Sequence, residues 1–206
     1  MPEGILLSFY DGPIPPPEFA PFQQIPTLYS DVSSRSFSSL ASSSPDETTS
    51  ETRGTFHTLS TTGLTNEFLT AVYNETTFYG TLALLHTGAF VSYDIEPFLT
   101  SYGTLATDSA YPHAQSPLPL NLYFAWTLPS EDAFWRARIQ DSVTQPLAVA
   151  RAEGIYGSDL TAYPNYALST YTGDQLYGAA NAARLRTIRA QVDPLGVMDL
   201  TGGFTL

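Results

Sequence analysis

Apolar and polar positions alternate along this chain in short stretches, and each change of period marks an element. Ile5 to Tyr10 is an apolar run ending at Asp11-Gly12-Pro13, which predicts a strand closed by a turn. Pro15, Pro16 and Pro17 hold an extended segment, and Glu18 to Gln24 predict a short helix. From Ser30 to Arg53, Ser, Thr, Asp and Glu take over. Apart from a short helix around Phe37 and Leu40, residues 30–53 predict a mobile surface loop, because few apolar anchors offset the entropy of ordering it. Thr55 to Thr61 set Phe56, Thr58 and Ser60 against His57, Leu59 and Thr61, the alternation of a strand in a sheet with one side covered. Gly63 ends it, and Thr65 opens a helix in which Phe68, Val72 and Tyr79 share a face. Ala89 to Ile95 and Leu120 to Trp126 are two further strands. The next helix starts at Ser130, with Trp135, Ile139, Val143 and Leu147 at every fourth position; Pro146 is predicted to kink or break it.

The last helix is the most explicit. Gly173-Asp174 supplies a start with a carboxylate at the positive end, and Leu185, Ile188 and Val192 recur at three- and four-residue spacing. Arg184, Arg186 and Arg189 crowd its second half, where cations suit the helix C-terminus, and Asp193-Pro194 stops it. Tyr177 and Asn181 continue the stripe of Leu185, which points both inward. Buried there, a phenol and an amide need partners, either within the core or on a bound polar ring system. Strands interleaved with helices suit a parallel sheet, but half-polar alternation belongs to an antiparallel one. The predicted class is α+β, an antiparallel sheet with helices on one face plus a C-terminal helical segment. The predicted organisation is a domain over residues 1–160 followed by the segment 161–206.

Composition removes several chemistries. The formal net charge of −12 and the absence of a basic face argue against nucleic acid and against an anionic membrane. All eight basic side chains are arginine, so a lysine Schiff base is excluded, and with no cysteine there is no disulfide or thiolate nucleophile. No apolar run reaches the length of a membrane span and no secretion signal is readable, which makes the cytoplasm the default expectation.

Among the candidate groups, Asp94 and Glu96 alternate and so share a strand face. If that face lines a cleft, a carboxyl there has a raised pKa and serves as a base; otherwise it is an acidic strand end in water. His113 lies in the loop Tyr111-Pro112-His113-Ala114. His57 and His86 have no companion ligand at metal spacing, so no metal site is expected. Tyr163, Tyr166, Tyr171 and Tyr177 form a polar aromatic group that can donate protons or pack.

The pattern Tyr163-Pro164-Asn165-Tyr166, then Leu176-Tyr177-Gly178 with Asn181, Arg184-Leu185, Ile188, Asp193-Pro194 and Val197-Met198 resembles the C-terminal berberine-bridge segment of FAD-linked oxidases, in the vanillyl-alcohol oxidase superfamily. Phe9-Tyr10-Asp11-Gly12-Pro13 is similar to a motif inside that family's substrate domain. Tyr111-Pro112-His113-Ala114 stands where many members carry Phe-Pro-His-Arg, with Ala114 in place of the arginine. The resemblance implies FAD contacts at Asn165, Tyr177 and Asn181, Tyr166 as base or substrate anchor and His113 as a further catalytic candidate, beside Asp94, which the strand alternation offers.

What the family uses to hold FAD, a glycine-rich phosphate loop and a histidine tether, has no counterpart in these residues. The resemblance therefore implies a truncated FAD-linked oxidoreductase acting on a small molecule such as a secondary-metabolite intermediate. Its flavin domain would be supplied elsewhere, and stable FAD binding by this chain alone is not expected. A bare face where the flavin domain once sat implies either a homodimer or a separate flavin-domain chain as partner. Two other readings stand beside this one: a flavin-free cyclase or isomerase that keeps the substrate pocket, and a non-catalytic binding protein or remnant.

Overall fold

The computed structural model describes residues 4–42, 51–204 and 206, and the chain divides into two units, Met1–Ser50 and Glu51–Leu206. In the first, a 3-10 turn over Pro17–Phe19 runs into α1 (Ala20–Gln23), with Pro17 and Pro21 where a missing N–H costs nothing. Helix α2 (Phe37–Ala41) is capped by Ser36, whose Oγ accepts the Ser39 N–H at 3.2 Å. Neither helix buries a residue. The strand expected over Ile5 to Tyr10 does not form, and Ile5, Leu7 and Phe9 are 70%, 73% and 68% exposed. An apolar run makes a strand only where a neighbour takes its N–H and C=O groups, and the sheet does not include this one. Of the loop expected over residues 30–53, α2 occupies part, Arg53 belongs to a strand, and residues 43–50 lie outside the described ones.

The second unit is built on a three-stranded antiparallel sheet of order β1-β3-β2: β1 (Arg53–Thr61), β2 (Gly88–Ile95) and β3 (Leu118–Trp126). The class is α+β, as the alternation predicts. Register puts Leu59 opposite Leu120 and His57 opposite Leu122 on one side, and Tyr93 opposite Leu122 and Val91 opposite Phe124 on the other. These residues face the helices. Helix α3 (Asn66–Ala83), capped by Thr65, lays Phe68, Val72 and Tyr79 against them. Helices α4 (Asp132–Asp141) and α5 (Thr144–Ala152) add Trp135, Ile139 and Ala150. Trp126 and Trp135 are fully buried, yet each indole N–H has an acceptor, Asp132 Oδ1 at 2.8 Å and the His86 carbonyl at 2.9 Å. Asp132 in turn accepts from Arg53 Nε and Nη2, which ties the start of β1 to α4.

Pro146 does not sit at the break. The chain turns between Asp141 and Thr144, and Pro146 lies in the first turn of α5, where its missing N–H would have had no intrahelical partner. Gly88 opens β2 so close to α3 that a Cβ there would meet the Ala83 Cβ at 2.5 Å and Ala83 Cα at 2.8 Å. No helix among the described residues is long and apolar enough to cross a membrane.

The last helix, α6 (Gly173–Val192), begins one residue earlier than Gly173-Asp174 suggests in its capping. Thr172 accepts the Gln175 N–H and Gln175 returns a bond to the Thr172 N–H, a capping box. The continuous inward stripe expected for it is not there. Gly178 has φ 73° and ψ 153°, which splits the helix into two pieces and resets the phase between Tyr177 and Asn181. Leu176 and Ala182 are buried, whereas Ile188 and Val192 are exposed.

Candidate functional site: the polar face of the sheet

The sheet's other face is the chemically loaded one. Alternation along β1 turns Phe56, Thr58 and Ser60 away from the helices, and β3 turns Pro119, Asn121 and Tyr123 the same way. From β2, Ser92 lies opposite Tyr123 and Asp94 opposite Asn121, and Glu96 follows just past the strand end. This is not the face on which α3, α4 and α5 pack. Instead the chain leaves α5, bonds to the edge of β1 through Thr62 N–H to the Ile155 carbonyl at 2.9 Å, and brings Tyr163 and Tyr166 across.

Tyr166 is the central residue. Its ring lies 6.4 Å from that of Phe56, which stacks on Tyr123 at 4.5 Å, and its hydroxyl donates to Glu96 Oε1 at 2.7 Å. Asn121 donates through Nδ2 to Asp94 Oδ2 at 2.9 Å. Burial raises the Asp94 pKa above the usual aspartate value, against the pull of Ser92 and Asn121. Burial likewise raises Glu96, opposed by the Tyr166 hydrogen bond and assisted by the nearby Asp94 charge. Burial, then the bond to Glu96, raises the Tyr166 phenol well above its ordinary range. Tyr166 is thus held as a neutral donor and Glu96 as its acceptor, with Asp94 beside them at the open edge strand.

Two of the three catalytic candidates therefore meet on one face, and Glu96 joins them. His113 sits apart, in the loop between β2 and β3. Its ring lies near-parallel to Tyr102 at 6.2 Å and to Tyr111 at 5.9 Å, and Nδ1 is 2.9 Å from the Tyr111 carbonyl, to which it donates. It positions that loop and touches neither Glu96 nor Tyr166.

The three residues expected at FAD are not gathered. Asn165 is exposed and donates to its neighbour Tyr163 Oη at 2.9 Å. Asn181 donates to the Ala110 carbonyl at 2.8 Å, so its amide is spent on the loop. Tyr177 lies on the short piece of α6 before the Gly178 kink, half-buried, and no hydrogen bond or ring contact engages it among the described residues. An open notch of about 360 Å³ lies between Arg186, Arg189 and Asp193, and neither Asn165, Tyr177 nor Asn181 lines it. Nor do any three His, Asp or Glu side chains among the described residues approach closely enough to hold a metal ion.

Asn121, bonded to Asp94, belongs to this face and was not singled out by the sequence pattern. Asn121 carried a signal: it is the lone amide in Leu118-Pro119-Leu120-Asn121-Leu122, a strand otherwise apolar. The Tyr166–Glu96 bond joins positions 70 residues apart and had no local signal. No family model matches the chain, and no curated protein matches it.

Proposed function

We propose that this chain is the substrate-binding part of a berberine-bridge-like FAD-linked oxidoreductase, with the flavin held outside these 206 residues. The observation that carries the reading is the Tyr166–Glu96 pair on the sheet face opposite the helices. A small-molecule hydroxyl placed at Tyr166 Oη can give up its proton there while the Tyr166 proton passes to Glu96 Oε1. The substrate is left as an alkoxide and Glu96 as a neutral acid, so the proton balance closes within this chain. The hydrogen on the substrate's carbinol carbon would leave with its bonding pair, giving the carbonyl and passing two electrons to an acceptor this chain does not hold, which is the chemistry a flavin supplies when bound.

Partner docking fits the same reading. Ile188, Val192, Leu195, Val197, Met198 and Leu200 expose apolar surface along the C-terminal segment, the part that in the resembling family returns to the flavin domain. A tagged copy of the chain, recovered from its native cells, is expected to bring a flavin chromophore with it. Val192→Asp should abolish that co-elution. A chain recovered without any flavin absorbance would count against the oxidoreductase reading.

A second reading, a flavin-free isomerase or cyclase, is favoured by one observation. Asp94 and Glu96 lie on the same face with burial raising both, so one carboxyl can remove a proton and the other return one. Turnover by the colourless purified chain, lost in Tyr166→Phe, would select it. No turnover by either preparation would leave a binding protein.

A further inference from the structure

We propose that Tyr166 is a site of one-electron oxidation, and that Tyr102, Tyr111 and Tyr163 carry the electron vacancy to it from the surface. The site uses the same Tyr166–Glu96 pair as the proton transfer above and rests on that pair, not on a flavin.

The four phenols belong to one line of rings. Tyr166 meets Tyr163 edge-on with centroids 5.0 Å apart, and Tyr163 meets Tyr111 in the same way at 5.4 Å. His113 lies between Tyr111 and Tyr102, near-parallel to both, at 5.9 and 6.2 Å. Each step is thus a ring-to-ring contact. Electron exchange falls off steeply with distance, so a line of touching rings is the fast route. The tryptophans, which compete for a vacancy, lie on the other side of the sheet. Trp126 stacks on Trp135, which touches Phe124 and Phe134, and among the described residues no ring contact joins that group to the tyrosine line.

A phenol that loses an electron becomes strongly acidic, so the vacancy rests where a base can take the proton. The four hydroxyls differ in this respect. Tyr102 donates to the Pro117 carbonyl, Tyr111 has the Ser60 hydroxyl beside it, and Tyr163 Oη accepts from the Asn165 amide. A backbone carbonyl, a neutral hydroxyl and an amide N–H are hydrogen-bond partners but not bases for a phenol. Tyr166 alone of the four donates to a carboxylate, Glu96 Oε1 at 2.7 Å. The step balances within that pair. Tyr166 gives one electron to a one-electron oxidant and its hydroxyl proton to Glu96, leaving a neutral phenoxyl radical, a neutral acid and the reduced oxidant. A metal complex or a flavin acting one electron at a time belongs to that class of oxidant. Entry is at the far end of the line, where half-buried Tyr102 packs against the exposed Phe98.

The chain has no cysteine, so Thr100→Cys, at an exposed position two residues from Tyr102, takes a single thiol-reactive ruthenium tris-bipyridine label. Flash oxidation of the label at mildly alkaline pH, followed by freezing and electron paramagnetic resonance, reads out the radical. Ring-deuterated tyrosine narrows a tyrosyl spectrum and leaves a tryptophanyl one unchanged. The expected result is a tyrosyl signal that is lost in Tyr166→Phe. It should fall severalfold in Glu96→Gln, whose amide oxygen still accepts the phenol's hydrogen bond but takes no proton. Tyr163→Phe should bring it to background with the tethered label, yet leave it intact with the same complex free in solution, which reaches the half-buried Tyr166 directly. Tyr73, 58% exposed and off the line, is the control, and Tyr73→Phe should change neither. No tyrosyl signal, a tryptophanyl one, or a signal unchanged in Tyr166→Phe or Glu96→Gln would overturn the site. A tethered-label signal undiminished by Tyr163→Phe would overturn the route. Failure of the oxidoreductase reading shows separately, as a missing flavin in the native complex, and leaves the radical yield unaffected.

Discussion

Lowering the pH from about 7 to about 5 should weaken the fold by about 2 kcal/mol through His57 alone. His57 is 4% exposed on β1, on the helix side of the sheet beside Leu122, and burial pushes its pKa from 6.5 to about 4. Its Nδ1 accepts the Thr58 N–H at 2.9 Å, so the neutral ring is the form the fold accommodates; a proton on that atom would face a donor. The sign follows from linkage. The unfolded chain takes up the proton below 6.5 and the folded one only near 4, so stability is fully present above 6.5 and is lost as pH falls toward 4. The total is about 3 kcal/mol, most of it spent by about pH 5. Asp94 and Glu96, raised in the folded state, act in the opposite direction, restoring stability as the pH falls through their raised values to the ordinary carboxylate range. Urea unfolding at a series of pH values, on the parent and on His57→Asn, measures the difference. The variant loses packing but should lose the slope as well. Parallel curves for the two proteins between pH 5 and 7 would refute the assignment.

Other expectations follow from the same contacts. Tyr166→Phe removes the bond that holds the Glu96 pKa down, so Glu96 should titrate higher in the variant by carboxyl NMR; an unchanged or lower value would contradict the pairing. Gly178→Ala places a side chain at φ 73° and ψ 153°, a region almost confined to glycine, and should cost about 1–3 kcal/mol by urea midpoint although nothing lies within 4 Å of the new Cβ. Trp135→Ala should cost about 3–5 kcal/mol, because the ring is fully buried against Phe124, Phe134 and Trp126. A loss under 1 kcal/mol would mean the core is not arranged this way.

The sheet was legible because alternation survives in strands whose two faces differ. Phe56, Thr58 and Ser60 were placed on one side and Leu59 on the other by period alone, and register bears this out. Strand starts ran short by one or two residues, since Arg53-Gly54 and Leu118-Pro119 carry no alternation that a single sequence reveals. Phe68, Val72 and Tyr79 were readable as the buried face of α3 for the same reason. Tertiary events were not readable. Ile5 to Tyr10 has strand composition but no ladder partner among the described residues, and Gly178 dephases α6 so that Ile188 and Val192, periodic on paper, stay exposed. At the site, Asp94 and Glu96 announced a shared face, but the Tyr166 that covers it arrives through a coil whose path no local pattern encodes.

The central claim is that this chain supplies the proton-handling face and leaves FAD to be held elsewhere. Titrating the purified chain with FAD, followed by visible absorption and by flavin fluorescence after gel filtration, tests it most directly. Asn165 and Asn181 are bonded within the chain, and neither lines the open notch of about 360 Å³ beside Arg186 and Arg189. The expected result is a colourless protein and no saturable complex. A yellow complex at one FAD per chain that survives the column would contradict the account.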